Sequence, residues 1–292
     1  MVGAIPSGQT EARTSSSSGT SVAADVFVIT AGQVRGYAHT GGRRLIELTG
    51  LIDPGGIAFD FNHHLYVSDE QQTAVFVYRP GSASPFKAIH MPASYTPFKV
   101  AVDPAGHVWV GTYYRYGPGN LTEFDANGNV LQTVQCPSMT DYTRPIAVDR
   151  KGDVFIDSPI GVHQYIPYVN EVPAGHRSCK RLPVKLSSFG GLAVTDAGGL
   201  VVGDYYNFDA FTYAPPGFRR VVARTNLGGG NPHGASFPEA IALTNDNSGI
   251  WVATESGSGD YAAALYRYPR GSSKRLVHIR LSNGASAVAV DY

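Results

Sequence analysis

Carboxylates recur along the chain at the same position of a short apolar segment. Their regular spacing raises the question of a cation site or an acid–base site. Four aspartates directly follow short apolar segments: Asp60, Asp103, Asp149 and Asp291. Clustered carboxylates could hold a cation or exchange protons with a substrate. Thr195 and Thr244 occupy the same place in two other segments, and a hydroxyl can cap a turn but cannot supply a charged ligand. The pattern therefore predicts turn caps at these positions.

Histidines and short catalytic motifs give no second route to chemistry. None of the nine histidines forms an H-E-x-x-H motif or another paired metal spacing. The chain has no G-x-S-x-G elbow, no Walker loop and no dinucleotide-binding fingerprint. His233 lies in a Gly-rich loop over residues 227–237 that could cover one end of the fold, and a single loop histidine is usually solvated. Any site must therefore be assembled from segments that are distant in sequence.

A six-fold repeat organises the chain. Its tetrapeptides share an apolar–Ala–apolar–Asp/Thr pattern and occupy residues 57–60, 100–103, 146–149, 192–195, 241–244 and 288–291. Successive alanines lie 43 to 49 residues apart. After a short turn, each of the first five tetrapeptides is followed by a second apolar segment that is typical of a strand, such as residues 65–67. A period of about 40–50 residues with four strands is typical of a propeller blade. The sequence therefore predicts an all-β, six-bladed β-propeller with four antiparallel strands per blade.

The alanine shared by all six tetrapeptides predicts a crowded environment. The innermost strands of a propeller converge on a narrow axis, and side chains alternate between the two faces along a strand. We therefore expect the alanines to face the axis, and the flanking Ile, Val, Leu and Phe residues to face the layers between blades.

The two ends of the chain are predicted to share one blade. Only Tyr292 follows the sixth tetrapeptide, so that blade lacks three strands. Residues 26–29, 34–37 and 43–48 match the missing second, third and fourth strands. Pairing the last strand with this segment closes the ring and removes sheet edges. We predict one propeller domain over residues 25–292 and a disordered Ser/Gly-rich lead-in over residues 1–24.

The repeat resembles the P-x-G-I-A-x-D…G-x-L-Y-V-x-D unit of the NHL-repeat and SMP-30/gluconolactonase-like group of six-bladed propellers. Its best copy joins residues 54–60 (PGGIAFD) to residues 65–69 (LYVSD), and the likeness covers residues 25–292. The group includes sugar-lactone and phosphotriester hydrolases, a peptide lyase, strictosidine-synthase-like enzymes and pure binding modules. The resemblance therefore implies the architecture without choosing a function.

The resemblance also implies a ligand site at one end of the axis, built partly from the loops that lead into the innermost strands. The leading positions, two residues before each tetrapeptide, are Gly55, Phe98, Arg144, Gly190, Glu239 and Ser286. Lys99 adds a cation beside them. The group's metal-dependent hydrolases have a Glu here, completed by Asn and Asp into a calcium-type oxygen cage. Glu239 matches that Glu, but no other leading position is Asn or Asp, so calcium at Glu239 is the alternative to a site without a cofactor.

The loops after the second strands supply the other candidates. Two blades carry a pair of tyrosines at the same place: Tyr113 with Tyr114, and Tyr205 with Tyr206. A Tyr ring offers a rigid surface with a polar tip to a sugar or a peptide, but it can equally close the edge of a hydrophobic layer. The charged candidates in these loops are Arg115, Asp157, Asp204 and Glu255. We predict that a ligand site draws on these residues together with Lys99, Arg144 and Glu239.

Composition limits the class of partner. Lys+Arg and Asp+Glu both number 23, so the net charge is zero and no basic field favours nucleic acid. No apolar run approaches the roughly 20 residues of a membrane span. The low charge and the abundance of Tyr, Gly and Ser suit a chain outside the cytoplasm, whether secreted, periplasmic or surface-anchored. We expect a monomer that binds a protein, a peptide or a glycan.

The two cysteines permit one disulfide. Cys136 ends the fourth strand of one predicted blade, and Cys179 begins the fourth strand of the next. In a blade drawn with upright antiparallel strands these positions lie at opposite ends, so we expect no disulfide.

Three functions remain open from the sequence: a non-enzymatic binding propeller, a metal-dependent hydrolase or lyase with its metal near Glu239, and a passive structural domain. A complete oxygen cage would favour the enzyme, and none can be assembled from the candidate residues. The sequence therefore favours binding without catalysis.

Overall fold

The computed structural model describes residues 25–92, 95–114, 117–136, 145–157, 168–185, 190–204, 207–227, 237–255, 263–271, 274–281 and 283–291. These residues form twenty-four β-strands in six four-stranded antiparallel sheets, and no helix. None of them therefore belongs to a helix that could cross a membrane. The six sheets confirm the predicted all-β, six-bladed β-propeller.

Five blades each use four consecutive strands, ordered from the axis outwards. Blade 1 contains β4 (Pro54–Phe59), β5 (Leu65–Asp69), β6 (Ala74–Tyr78) and β7 (Lys87–His90). Blade 2 contains β8 (Thr96–Val102), β9 (Val108–Tyr114), β10 (Gly117–Phe124) and β11 (Val130–Val134). Blade 3 contains β12 (Ile146–Val148), β13 (Val154–Asp157), β14 (Val169–Val172) and β15 (Lys180–Arg181). Blade 4 contains β16 (Leu192–Val194), β17 (Leu200–Asp204), β18 (Asp209–Tyr213) and β19 (Val221–Asn226). Blade 5 contains β20 (Phe237–Leu243), β21 (Gly249–Glu255), β22 (Ala263–Arg267) and β23 (Arg275–Ile279).

The closing blade joins the two ends of the chain, as predicted. It contains β24 (Ala285–Val290), β1 (Val26–Thr30), β2 (Gln33–Tyr37) and β3 (Ile46–Glu47), in that order from the axis. In the ladder between β24 and β1, Val26 faces Val290 and Val28 faces Val288. The ring is therefore held closed by a ladder between segments that are more than 250 residues apart in sequence.

The predicted turn caps are present at the end of the ring where the innermost strands finish, which we call the lower end. Asp103 Oδ1 accepts hydrogen bonds from the backbone nitrogens of Ala105 and His107 at 2.9 and 2.8 Å. Asp60 and Asp149 cap their turns in the same way. The hydroxyls of Thr195 and Thr244 each accept one backbone hydrogen bond. Asp291 differs, because its Oδ1 lies 2.7 Å from His63 Nδ1 and ties the closing blade to blade 1.

The prediction that the repeated alanines face the axis while their larger neighbours face away from it is wrong, because both line the axial cavity and the alanines also pack against the next blade. Each blade is a radial sheet, so both of its faces point into the layers between blades. Ala193 packs with Ile241 and Leu243 of the following blade, and Ala289 packs with Ile57 in the same relation. Because neighbouring blades converge towards the axis, the large side chains of one innermost strand leave room only for a small residue opposite. The repeat therefore encodes a large-to-small contact between successive blades.

This packing leads to a prediction for Ala147 of blade 3, which is buried against Leu192 of blade 4. Substitution Ala147→Leu overpacks the narrowest part of that layer and should lower the free energy of unfolding by about 1–3 kcal/mol. Ala126→Leu, in an exposed turn of blade 2, is the matched control and should change it little. Urea denaturation measures both, and equal midpoints for Ala147→Leu and wild type would contradict the packing.

The expectation of no disulfide is also wrong, because Cys136 and Cys179 are bonded, with their Cα atoms 5.4 Å apart. Adjacent strands of a sheet rotate by about 20–25° relative to each other, so the fourth strand lies about 60–75° from the innermost one. An outermost strand therefore runs across the ring towards its neighbour, and its two ends do not mark the top and bottom of the blade. The bond cross-links blades 2 and 3 within a buried cluster that contains Trp109 and Val154.

Candidate functional site

The two sets of loops singled out from the sequence lie at the same end of the ring, which we call the upper end. Strand pairing places Pro54 opposite Asp69 and Pro97 opposite Thr112. In each pair, the start of an innermost strand adjoins the end of the second strand. The upper end therefore carries both the leading positions and the second-strand loops.

A β-bulge occurs at the leading position in four of the blades. The strand register passes over Gly55, Phe98, Glu239 and Ser286. A bulge re-aims the unpaired residue and is common beside binding sites. Three of the bulges follow a proline (Pro54, Pro97 or Pro238), which fits because proline has no N–H to contribute to a ladder. The bulges thus detach three side chains, those of Phe98, Glu239 and Ser286, from the regular alternation.

The bulged residues that carry a side chain are more exposed than the residues before them. Phe98 and Glu239 are half-buried and Ser286 is exposed, whereas the adjacent Pro97 and Pro238 are buried. The upper end therefore presents an aromatic ring, a carboxylate and a hydroxyl from three different blades.

Gly55 and Gly190 mark close approaches between successive innermost strands. A Cβ atom at Gly55 would lie 2.7 Å from the carbonyl oxygen of Phe98, and one at Gly190 would lie 2.6 Å from that of Pro238. No other residue fits without moving backbone. These two leading positions therefore serve packing between blades and contribute no side chain to a site.

Lys99 lies where blades 1 and 2 meet at the upper end. Its Nζ donates a hydrogen bond to the carbonyl oxygen of Gly55 at 2.5 Å and lies 4.5 Å from the centre of the Phe98 ring. A cation over an aromatic face is attracted by the ring quadrupole. The structure thus brings Lys99 and Phe98 together as one half-buried, amphipathic surface.

Asp204 acts as a loop cap. Its carboxylate accepts hydrogen bonds from the backbone nitrogen and side-chain amide of Asn207 at 3.1 and 3.0 Å. Asp69 does the same for Gln72, at 2.9 and 3.1 Å. Thr30, Thr112 and Thr254 hold the corresponding position of other blades. Asp69 and Asp204 thus cap their loops in the same way, and the role of Asp204 in a ligand site stays a prediction.

Blade 4 carries a second buried acid next to this cap, which sequence reasoning missed. Asp209 faces Asp204 across the β17–β18 ladder and is fully buried. Its Oδ2 accepts hydrogen bonds from Arg224 at 2.6 and 2.9 Å, and the hydrogen bond and charge of Asp209 raise the pKa of Arg224. The D-x-x-x-x-D spacing across a short hairpin was the available signal.

Asp157 ends β13 and is 1% exposed. Its position corresponds by strand register to small residues in other blades: Ser68, Gly111, Gly203 and Ala253. At Gly203, a Cβ would lie 2.1 Å from the carbonyl oxygen of Gly190, which explains the general preference for small residues. A buried carboxylate at this position is therefore a feature of blade 3 among these blades.

The remaining candidates are described only in part. Tyr113 and Tyr114 form the end of β9, with Tyr113 opposite Thr96; their side chains lie outside the described residues. Glu255 ends β21 opposite Phe237, again without a described side chain. Arg115, Arg144, Tyr205 and Tyr206 lie outside the described residues altogether. Their roles in a ligand site stay predictions.

Several tyrosines are buried in the described layers, and Tyr66 and Tyr78 donate hydrogen bonds there. Burial raises the pKa of Tyr266 to about 12, and burial together with the Asp60 carboxylate raises the pKa of Tyr66. The hydroxyl of Tyr78 donates to the carbonyl oxygen of Thr49 at 2.8 Å. These tyrosines stay protonated at neutral pH and stabilise the layers between blades.

A cavity of about 190 Å³ lies on the axis, lined by all six innermost strands. Its walls are the Ile, Val, Leu and Ala residues of the tetrapeptides, with Asp60 and Phe61 among the lining residues. Phe61 is 61% exposed. The axis is therefore a narrow aliphatic channel, and polar groups for a ligand come from the two ends of the ring.

Among the described residues, one group of His, Asp and Glu is close enough to hold a metal ion, and it is Asp103, His107 and Glu123 of blade 2. It belongs to the lower end, because Asp103 caps the turn between β8 and β9. Glu239 of the upper end is not part of it. The sequence predicted Asp103 only as a turn cap, because Glu123 joins the group through the pairing of β9 with β10, which the sequence does not show.

Comparison with solved structures places the chain among β-propellers. A protein of unknown function from Bacteroides caccae matches with a TM-score of 0.68 and 15% identity, over 92% of this chain and 99% of its own. A chain in the nidogen/laminin complex matches with a TM-score of 0.70 and 13% identity, over 92% and 98%. Identities this low show the fold alone. No family model matches the chain, and no curated protein matches its sequence.

Proposed function

We propose that this six-bladed propeller is a non-enzymatic binding protein that works outside the cytoplasm and binds a peptide, protein or glycan at its upper end. The observation that carries the proposal is the set of bulges at the leading positions. Phe98, Glu239 and Ser286 leave the strand ladder there and are partly or fully exposed, while their proline neighbours are buried. A scaffold that holds chemically different side chains at one rim suits recognition.

The chemistry of this rim suits a polar ligand with an apolar face. The Phe98 ring with the Lys99 ammonium beside it offers stacking and a positive charge, and Glu239 offers a carboxylate acceptor. Sugars and peptides present such mixed surfaces. Net charge zero supports neither nucleic acid nor an anionic membrane surface as the partner.

Two observations support a protein partner outside the cytoplasm. The Cys136–Cys179 disulfide favours an oxidising compartment, because cytoplasmic thiols are mostly kept reduced. One of the similar solved structures is a nidogen/laminin complex, so a chain of this fold takes part in a protein complex there. We further propose that the chain works as a monomer and belongs to the NHL-repeat and SMP-30-like group, which the repeated P-x-G-I-A-x-D unit supports.

Binding at the upper end is tested with labelled protein on peptide and glycan arrays, followed by titration of the best ligand. Phe98→Ala and Glu239→Gln should each weaken binding at least tenfold, about 1.4 kcal/mol, because each removes a contact at the rim. Leu276→Ser, on the exposed outer strand β23, is the matched control and should bind like wild type. Retained affinity in both rim variants, or lost affinity in the control, would refute the site.

The enzyme alternative predicts that the wild-type chain and its Glu239→Gln variant differ in calcium binding. A calcium-dependent hydrolase or lyase with Glu239 as ligand would bind Ca²⁺ by calorimetry, and Glu239→Gln would abolish that binding. The binding-protein proposal expects array ligands to bind equally well in chelator and in calcium.

A further inference from the structure

Three side chains of blade 2 converge at the lower end, away from the proposed ligand rim. His107 Nδ1 lies 3.2 Å from Asp103 Oδ2 and 2.9 Å from Glu123 Oε1. The ligand atoms of the three residues all lie within 4.8 Å of one another. Asp103 and Glu123 are 6% and 8% exposed, and the His107 side chain is 36% exposed. The group is thus buried on its acidic side and open to solvent on its imidazole side.

The other oxygen of each carboxylate is already engaged. Asp103 Oδ1 accepts the two backbone hydrogen bonds of its turn, and Glu123 Oε2 accepts a hydrogen bond from Gln132 Nε2 at 2.6 Å. The scaffold therefore fixes both carboxylates so that one oxygen from each points at the same imidazole nitrogen.

These oxygens outnumber the donors that face them. Nδ1 of an imidazole carries at most one proton, which can make one good hydrogen bond and not two. Gln132 Oε1 is also buried and accepts no hydrogen bond from the described residues. A buried oxygen without a donor is costly, and two buried carboxylates side by side are more so. A cation at this point would satisfy the two carboxylate oxygens that face His107 at once.

Blade 1 provides an internal comparison. Asp60 caps the same turn, and His64 Nδ1 lies 3.0 Å from Asp60 Oδ2. The register position of Glu123 is Val77 in blade 1, and that of Trp109 is Tyr66, whose hydroxyl donates to Asp60 at 3.3 Å. In blade 1, the hydrogen-bond donors around the Asp–His turn are therefore sufficient for its carboxylate. Blade 2 has more acceptors than donors because Glu123 and Gln132 are added there.

We propose that Asp103, His107 and Glu123 form a binding site for a divalent transition-metal ion of the zinc type, with water completing the coordination. One imidazole nitrogen with carboxylate oxygens is a donor set that zinc accepts, whereas calcium takes oxygen alone. Bonds of about 2.0–2.2 Å place tetrahedral zinc ligands about 3.3–3.5 Å apart. The two measured separations of 2.9 and 3.2 Å are close to this spacing, so small side-chain shifts admit the ion.

The site is tested on the untagged full chain by calorimetric titration with Zn²⁺ and by absorption after addition of Co²⁺. We expect one saturable Zn²⁺ ion per chain and the visible d–d bands of four-coordinate Co²⁺. Glu123→Gln and His107→Gln should each weaken Zn²⁺ binding at least tenfold. His64→Gln, in the matching turn of blade 1, should leave the affinity unchanged.

Each other result overturns the proposal. Absence of saturable binding, or equal affinity in Glu123→Gln and wild type, would show that the group is only a hydrogen-bonded turn. Preference for Ca²⁺ over Zn²⁺ would show that the imidazole is not a ligand. Loss of binding in His64→Gln would place the ion elsewhere. If Glu123→Gln does not fold, which circular dichroism reports, the half-exposed His107→Gln decides the question.

Discussion

Deletion of residues 287–292 should abolish the folded propeller. The deletion removes four of the five register pairs between β24 and β1 and opens the ring along the edge of β1. It also removes Val288 and Val290, which are 6% and 9% exposed and each stabilise the fold by about 1.5–3 kcal/mol. Val26 and Val28, now fully buried, lose the strand that covers them. The sum is comparable with the roughly 5–15 kcal/mol that stabilises a whole domain.

Soluble yield, circular dichroism and urea denaturation of the truncated chain measure this effect. Asp291→Asn is the matched control, because it removes the charge from the contact of Asp291 with the half-exposed His63 while leaving the ladder intact. Such a surface pair is worth at most about 1 kcal/mol, so this variant should fold and melt nearly like wild type. A truncated chain that unfolds cooperatively at the wild-type urea concentration would show that ring closure does not require β24.

Loss of the disulfide is expected to lower the free energy of unfolding by about 4 kcal/mol. Cys136 and Cys179 are separated by 43 residues, and the entropy that a cross-link removes from the unfolded chain grows with the logarithm of the loop it closes. The double variant Cys136→Ala/Cys179→Ser avoids a buried hydroxyl at Cys136, which is 1% exposed. Its urea midpoint should fall accordingly.

Reduction of the wild-type chain distinguishes the effect of losing the cross-link on stability from the effect of the two substitutions. Dithiothreitol should shift the wild-type midpoint towards that of the double variant and leave the double variant itself unchanged. A wild-type midpoint that does not respond to reductant, with complete reduction verified by mass spectrometry, would contradict this account.

The architecture was readable in the sequence because a propeller repeats one local unit. Strand alternation, Asp- or Thr-capped turns and the recurring alanine depend on backbone geometry within a blade, and each copy states them again. The place of the sixth tetrapeptide, residues 288–291, predicted the closing blade, and the pairing of β24 with β1 confirmed it. The caps at Asp60, Asp103 and Asp149 were predictable for the same reason, since an Asx turn involves only residues a few positions apart.

The candidate site was predictable only in outline. The resemblance implied its end of the ring, and strand register brought the two loop sets together there. The bulges that detach Phe98, Glu239 and Ser286 were not predicted, because a bulge is a mismatch between two strands and neither strand shows it alone. The capping role of Asp204 was missed because its partner, Asn207, lies across the turn of the hairpin, outside the strand pattern from which the site was predicted.

The sequence by itself determined the features that each blade repeats: the number of blades, their four strands and their capped turns. It also determined that β24 pairs with β1 in the closing blade. The tertiary structure alone decided the interactions between strands and blades. The alanines oppose large residues of the next blade because radial sheets converge at the axis. Cys136 reaches Cys179 because twist turns the outer strands across the ring. Glu123 meets Asp103 and His107 because β10 pairs with β9. Each of these contacts depends on the relative placement of two segments, and a pattern read along one segment carries no information about it.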